Sequence, residues 1–230
     1  MPSPHAPWRR IIVAASALAA AGTLLAACAS DTPSSTSPGG QPVDGGVLEL
    51  SVSAEPGCLD SHAISATQQA LLGRLIYDNL VTLDRDGNLA PYLAESWDIS
   101  DDGKTYTFHL KEGVTFSDGS PWNAEVLGQN FEHMRDPATK SPLAAAYIAP
   151  YVDGTVIDEY TFEAHLAHPF TPFLYGLAQS WVTMESGKAI TESPETLCQQ
   201  PVGSGPFVVE EYVPGQSITY VKRDGYDWAP

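Results

Sequence analysis

Six histidines, three cysteines, a Gly-Ser-Gly step and a few adjacent carboxylates are the side chains with chemistry to offer in this 230-residue sequence. His5, His62, His109, His133, His165 and His168 are scattered along the chain. Only the last two are neighbours, and the pair breaks at Pro169, so the spacing builds no tetrahedral metal site. Histidines placed this way read as polar surface residues, and no metal ligand is assigned. Gly203-Ser204-Gly205 lacks the spacing and the following helix that a nucleophile elbow needs. A proline and an extended segment come after it, with no lysine, so it is no phosphate loop either. Glu210 and Glu211 alternate along a predicted strand and face opposite ways, which rules them out as an acid–base pair. No catalytic constellation and no cofactor motif results, and the chain reads as a non-enzyme.

The elements that must carry these residues are legible from periodicity. From Thr105 to Leu110 the chain alternates strictly, Tyr106, Phe108 and Leu110 to one side and Thr105, Thr107 and His109 to the other. Asp101-Asp102-Gly103 tolerates the positive φ of a tight turn, so Trp97–Ile99 and Thr105–Leu110 form a hairpin. Gly113 and Asp118-Gly119-Ser120-Pro121 make further turns, and Asn123 caps a helix whose Leu127, Phe131 and Met134 share a face. Upstream, Leu48, Leu50 and Val52 alternate with polar residues as a first strand, followed by a turn-rich exit at Ala54–Asp60. Thr67 caps a helix to about Asn79, with Leu71, Leu72, Leu75, Ile76 and Leu80 as its apolar face. Downstream lie a second hairpin at 155–158 and 160–166, a short helix at 172–179, a strand at 181–184, a helix start at Ser193-Pro194-Glu195, and a final strand pair at 207–213 and 217–223.

Charge narrows the partners. With 28 acidic against 11 basic residues the net is -17, a surface that repels nucleic acid and anionic lipid. Dispersed carboxylates of this kind keep an exported protein soluble. Export is written at the start: Trp8-Arg9-Arg10 is a positive end, Ile11 to Leu25 an apolar run too short and interrupted to span a bilayer. Leu25-Ala26-Ala27-Cys28 resembles a lipobox, the bacterial signal in which the cysteine is lipidated and becomes the new N-terminus. Residues 1–27 are thus read as a lipoprotein signal peptide on the general secretion route, with Arg9-Arg10 leaving a twin-arginine signal as the alternative. Residues 28–46, rich in Ser, Thr, Pro and Gly, form a flexible tether, and residues 47–230 the folded domain.

Leu93-Ala94-Glu95-Ser96-Trp97 through Asp118-Gly119 to Phe131 resembles the signature of the bacterial extracellular solute-binding proteins of family 5, the oligopeptide-, dipeptide- and nickel-type receptors of ABC importers. Leu80-Val81, Asp84 and Gly87 match the turn before it. Pro201-Val202-Gly203-Ser204-Gly205-Pro206-Phe207 resembles the family's PVGTGPF element, and Arg223 to Trp228 its RNPDYW. Val126 departs from the pattern, standing where an acidic residue completes a capping box. The resemblance implies a mixed α/β fold of the periplasmic-binding-protein-like class II type. It implies the first lobe only, a mixed sheet with β-hairpins and flanking helices, truncated before the second lobe. It implies a lipid-anchored receptor on the outer face of the membrane that captures a peptide or similar small solute and hands it to ABC permease subunits. By position in the family, Glu55, Pro56 and Gly57 and, at the strand returning to the cleft, Ser180 and Trp181 are the expected ligand contacts. With Cys28 lipidated, Cys58 and Cys198 remain. The exported setting permits a disulfide between them; two buried free thiols are the alternative. From other classes, an exported hydrolase on a similar scaffold would need a nucleophile–base pair, and an adhesion or structural lipoprotein would lack a small-molecule cleft.

Overall fold

A strand that shows one apolar face must find a partner surface for it, and Thr105–Leu110 does. In the computed structural model, which describes residues 45–230, this strand (β5) alternates half-buried and buried residues. Numbering the strands in chain order, β1 is Asp78–Asn79, β2 Val81–Leu83, β3 Leu89–Pro91, β4 Ala94–Ile99, β6 Tyr151–Asp158 and β7 Thr161–Leu166. An antiparallel sheet forms in the order β4-β5-β7-β6, with Tyr106, Phe108, Phe162, Ala164 and Leu166 on its inner face. The helix Ala124–Arg135 packs against that face. Asn123 Oδ1 accepts from Val126 N at 3.0 Å, so a helix start without the acidic capping-box partner is still capped. Leu127, Phe131 and Met134 are fully buried, and the Phe131 ring lies 6.0 Å from Phe162 and 4.7 Å from Tyr151. Truncating Phe131 to alanine would remove about 3–5 kcal/mol of packing. Trp122 is buried as well, its Nε1 donating to Leu93 O.

Three two-stranded ladders complete the β-structure of the described residues: β1 with β8 (Thr183–Met184), β2 with β3, and β9 (Phe207–Val213) with β10 (Ser217–Lys222). The register of the last pair shifts at Glu210, and Glu210 and Glu211 are both exposed.

Several sequence expectations need correction. The helix begun at Thr67 ends at Gly73, not Asn79. Its continuation is captured by tertiary contacts: Leu75 O and Ile76 O accept from Phe207 N and Gly205 N at 2.9 and 2.7 Å. The Gly-Ser-Gly element fits there because it has no side chains at its glycines; a Cβ on Gly203 or Gly205 would stand 2.1 or 2.5 Å from the Ile76 carbonyl group. Leu71, expected inside, is 61% exposed. The alternation of Leu48, Leu50 and Val52 yields no strand, and all three are exposed. An extended segment holds as a strand only where a neighbour pairs its backbone in a ladder, and no such ladder forms with the other described residues. Of residues 181–184 only Thr183–Met184 pairs, and Ser193-Pro194 opens a single 3₁₀ turn. The regular helix in that region is Gly187–Glu192, capped by Ser186 Oγ accepting from Ala189 N. Among the described residues no helix is long and apolar enough to cross a membrane. Cys28, the expected lipidation residue, lies outside the described residues, as does His5.

Candidate functional site

The two segments expected to meet ligand are held differently. Pro56 is buried and its carbonyl accepts from Gln69 Nε2, so in that loop Glu55 and Gly57 are the exposed residues. Glu55 Oε1 accepts from Tyr212 Oη at 3.0 Å, tying the loop to β9. Ser180 and Trp181 sit half-buried on a turn fixed from beneath by one amide. Asn79 Nδ2 donates to the carbonyls of Leu177, Gln179 and Val182 at 3.1, 2.8 and 3.0 Å. The Trp181 ring packs 5.5 Å from Tyr147, itself 38% exposed, giving an aromatic wall on a rigid base. No hydrogen bond links the 55–57 loop to the 180–181 turn among the described residues.

Cys58 and Cys198 form a disulfide, their Cα atoms 4.2 Å apart across a separation of 140 residues. Leu59 N donates to Cys198 O beside it. The bridge anchors the next three residues, Asp60, Ser61 and His62, all buried.

There the structure places side chains that sequence spacing kept apart. His62 and His133, expected on the surface, face one another with their Nδ1 atoms 2.8 Å apart. Glu185 Oε2 lies 3.8 Å from each of those nitrogens. Asp60 completes the group, and its Oδ1 accepts from His62 N and Ala63 N. Each member is positioned by a nearby element. His133 follows Asn130 by three residues on the same helix face. Asn130 clamps the backbone of Glu185, donating from Nδ2 to Glu185 O and accepting from Glu185 N at 2.7 Å. Glu185 itself extends β8. His62 Nε2 stands 2.8 Å from Thr183 O, so that nitrogen carries the proton and Nδ1 presents a lone pair. Burial pushes the His62 imidazolium down to about 4, with His133 adding to the effect and Asp60 opposing it. Burial likewise lowers His133. Burial, then the Asp60 charge, raises Glu185 well above the carboxylate range, against the pull of the Ser61 donors. The other described histidines are surface residues as expected: His109 pairs with Asp98 and His165 with Asp153 and Glu163, while His168 is exposed.

A second carboxylate is buried one strand away. Asp78 Oδ1 accepts from the Tyr92 and Tyr226 hydroxyls, and Oδ2 from Ser204 Oγ and Trp228 Nε1 at 3.0 Å each. Burial, the largest cause, pushes Tyr226 up to about 12. Arg223 binds Ser204 O, Phe116 O and Thr115 Oγ1 and lies over the Trp228 ring at 5.0 Å. The two sequence motifs at 201–207 and 223–228 are thereby knotted to β1.

Residues 88–230 match the bacterial extracellular solute-binding proteins, family 5, in the region described as its middle. The chain belongs to this family. Among curated relatives, the glutathione-binding protein GsiB of Escherichia coli O1:K1 is 31% identical over 172 residues, 75% of this chain and 33% of the relative. The family 5 chain therefore spans about a third of the length of the curated relatives it matches. Its fold is that of periplasmic binding proteins. AgaA from A. tumefaciens R10, solved with agropinic acid, superposes with a TM-score of 0.69 at 28% identity, covering 75% of this chain and 35% of AgaA. DppA from Helicobacter pylori, solved with the peptide STSA, gives 0.67 at 28%, covering 77% and 39%.

Proposed function

We propose that this family 5 protein captures a peptide or similarly small solute outside the membrane and delivers it to ABC permease subunits. The observation that carries the reading is the Trp181–Tyr147 wall on a turn that Asn79 fixes through three carbonyls. A rigid, half-exposed aromatic pair offers apolar contact at low entropic cost. Exposed Glu55 and Gly57 and half-buried Ser180 add polar and main-chain contacts at the ligand, and a net charge of -17 favours solutes that are not strongly anionic. The relatives' ligands, glutathione for GsiB, a tetrapeptide for DppA and agropinic acid for AgaA, are amino-acid-derived and support the same class for this chain. Capture works by differential stabilisation: ligand favours a closed form that the permease recognises. Lipidation at Cys28 holds the receptor at the extracytoplasmic face.

Isothermal titration of full-length protein with glutathione, a di- and tripeptide library and opines tests this. One compound of that group binds, and Trp181→Ala weakens it by roughly tenfold, the cost of a ring contact. Binding that is indifferent to Trp181→Ala removes the site, and no binding to any peptide-like compound removes the function. Cys28→Ala shifts the protein from the membrane to the soluble fraction if the anchor is as proposed.

A further inference from the structure

We propose that His62, His133, Glu185 and Asp60 form a binding site for a divalent transition-metal ion of the zinc class. This goes beyond solute capture, and either reading stands without the other. Three independent features of the cluster lead to it.

Donor geometry comes first. The four potential ligand atoms lie within 4.8 Å of one another. Zinc bonds of about 2.0–2.1 Å in a tetrahedron set ligand atoms about 3.3 Å apart. The observed edges, 2.8 Å between the two Nδ1 atoms and 3.8 Å from each to Glu185 Oε2, bracket that value on both sides. Side-chain adjustments of a few tenths of an ångström regularise the triangle, and Asp60 stands by as the fourth ligand.

Orientation comes second. A metal-bound histidine characteristically donates its other ring N–H to a carbonyl or carboxylate, which fixes the tautomer. His62 does so, with Nε2 against Thr183 O at 2.8 Å. Its Nδ1 lone pair is therefore aimed at His133 and Glu185. Asn130 and the Cys58–Cys198 bridge hold the surrounding backbone, as a pre-formed site requires.

An unmet need comes third. Glu185 is fully buried and its Oε1 accepts from Ser61 N and Oγ at 2.8 and 3.0 Å, yet Oε2 has no hydrogen-bond partner. The Tyr77 hydroxyl, close enough to act on the Glu185 carboxyl, donates to Leu59 O at 3.0 Å. A buried carboxyl oxygen without a hydrogen-bond partner, between two imidazole nitrogens, is an arrangement that a cation satisfies. Two imidazoles with carboxylates select zinc, nickel, copper or iron(II) over the hard cations, which take oxygen shells. His133 and Asp60 also line a depression of about 880 Å³ together with Glu132, Asp136 and Glu195, whose three carboxylates outnumber the one cation there, Arg135.

The test uses full-length protein stripped with EDTA and dialysed. Zinc chloride titrated calorimetrically binds at one site per chain and raises the melting temperature, whereas magnesium chloride at the same concentration does neither. Cobalt(II) gives the intense visible absorption of a tetrahedral nitrogen–oxygen site. Glu185→Gln and His133→Gln each weaken zinc at least tenfold. His165→Gln, which alters the surface cluster with Asp153 and Glu163, leaves it unchanged. Glu185→Gln preserves side-chain shape, and should it fail to fold, the partly exposed His133→Gln carries the same comparison. Absence of a zinc-dependent shift overturns the proposal. So does zinc binding that His165→Gln abolishes and His133→Gln does not.

Discussion

Two carboxylates are buried side by side in this protein, and they have opposite surroundings. Asp78 is paired through the β1–β8 ladder with Met184, the residue before Glu185. Asp78 receives four donors, two on each oxygen, drawn from residues as distant as Trp228. Glu185 receives two donors on one oxygen and none on the other, which looks instead at two histidines. A buried charge tolerates its environment only when its lone pairs are filled. Asp78 is thus a structural knot, holding the end of the described chain to its first strand. Glu185 is half a site, complete on the side of the fold and open on the side of a ligand.

The sharpest way to break this contrast is Asp78→Ala. It leaves the Ser204 and Trp228 donors unpaired and the Tyr92 and Tyr226 hydroxyls with only one another, and the expected loss is roughly 3–5 kcal/mol in urea unfolding. A loss under 1 kcal/mol would mean the knot is decorative. Glu185→Gln, measured without metal, should change stability by about 1 kcal/mol or less in either direction. The amide matches the shape of the uncharged acid that burial favours and offers a donor to the imidazole nitrogens. A loss matching that of Asp78→Ala would erase the difference between the two carboxylates. The smallest effect belongs to Asp118, the half-exposed counterpart. Burial raises its pKa, but donors from Ser120 and Ser186, with Lys188 nearby, outweigh that and hold it below the ordinary value. A depressed carboxyl contributes stability above its unfolded pKa of about 4, and that contribution fades as pH falls through the folded value. Asp118→Asn should therefore flatten the acid limb of the stability curve below about pH 4. At pH 7, where the contribution is fully present, the variant loses all of it, and solvent screening keeps that loss small. An unaltered acid limb would show that the Ser186 cap does not depend on this charge.

The local pattern carried much of the fold. The alternation at Thr105–Leu110, the Asn123 cap, the Phe131 face and the 207–222 strand pair follow from side-chain period and turn chemistry. Both are properties of neighbouring residues, so the sequence alone specifies them. The length of the helix after Thr67 was illegible for the opposite reason. Its propensity continues past Gly73, and what stops it is a glycine-lined segment arriving from position 205 to take the Ile76 carbonyl. The candidate metal cluster was illegible too. The Asp60-Ser61-His62 turn and the Asn130–His133 helix step are local signals, but each is commonplace by itself. Only the fold sets His62 against His133, 71 residues on, and both against a glutamate reached through β8. Sequence by itself determined the central hairpins, the helix after Asn123, the acidic surface and the family, because those rest on composition and short-range order. Tertiary structure decided which polar groups are stripped of water and which partners they then find, because burial is a property of the assembled chain.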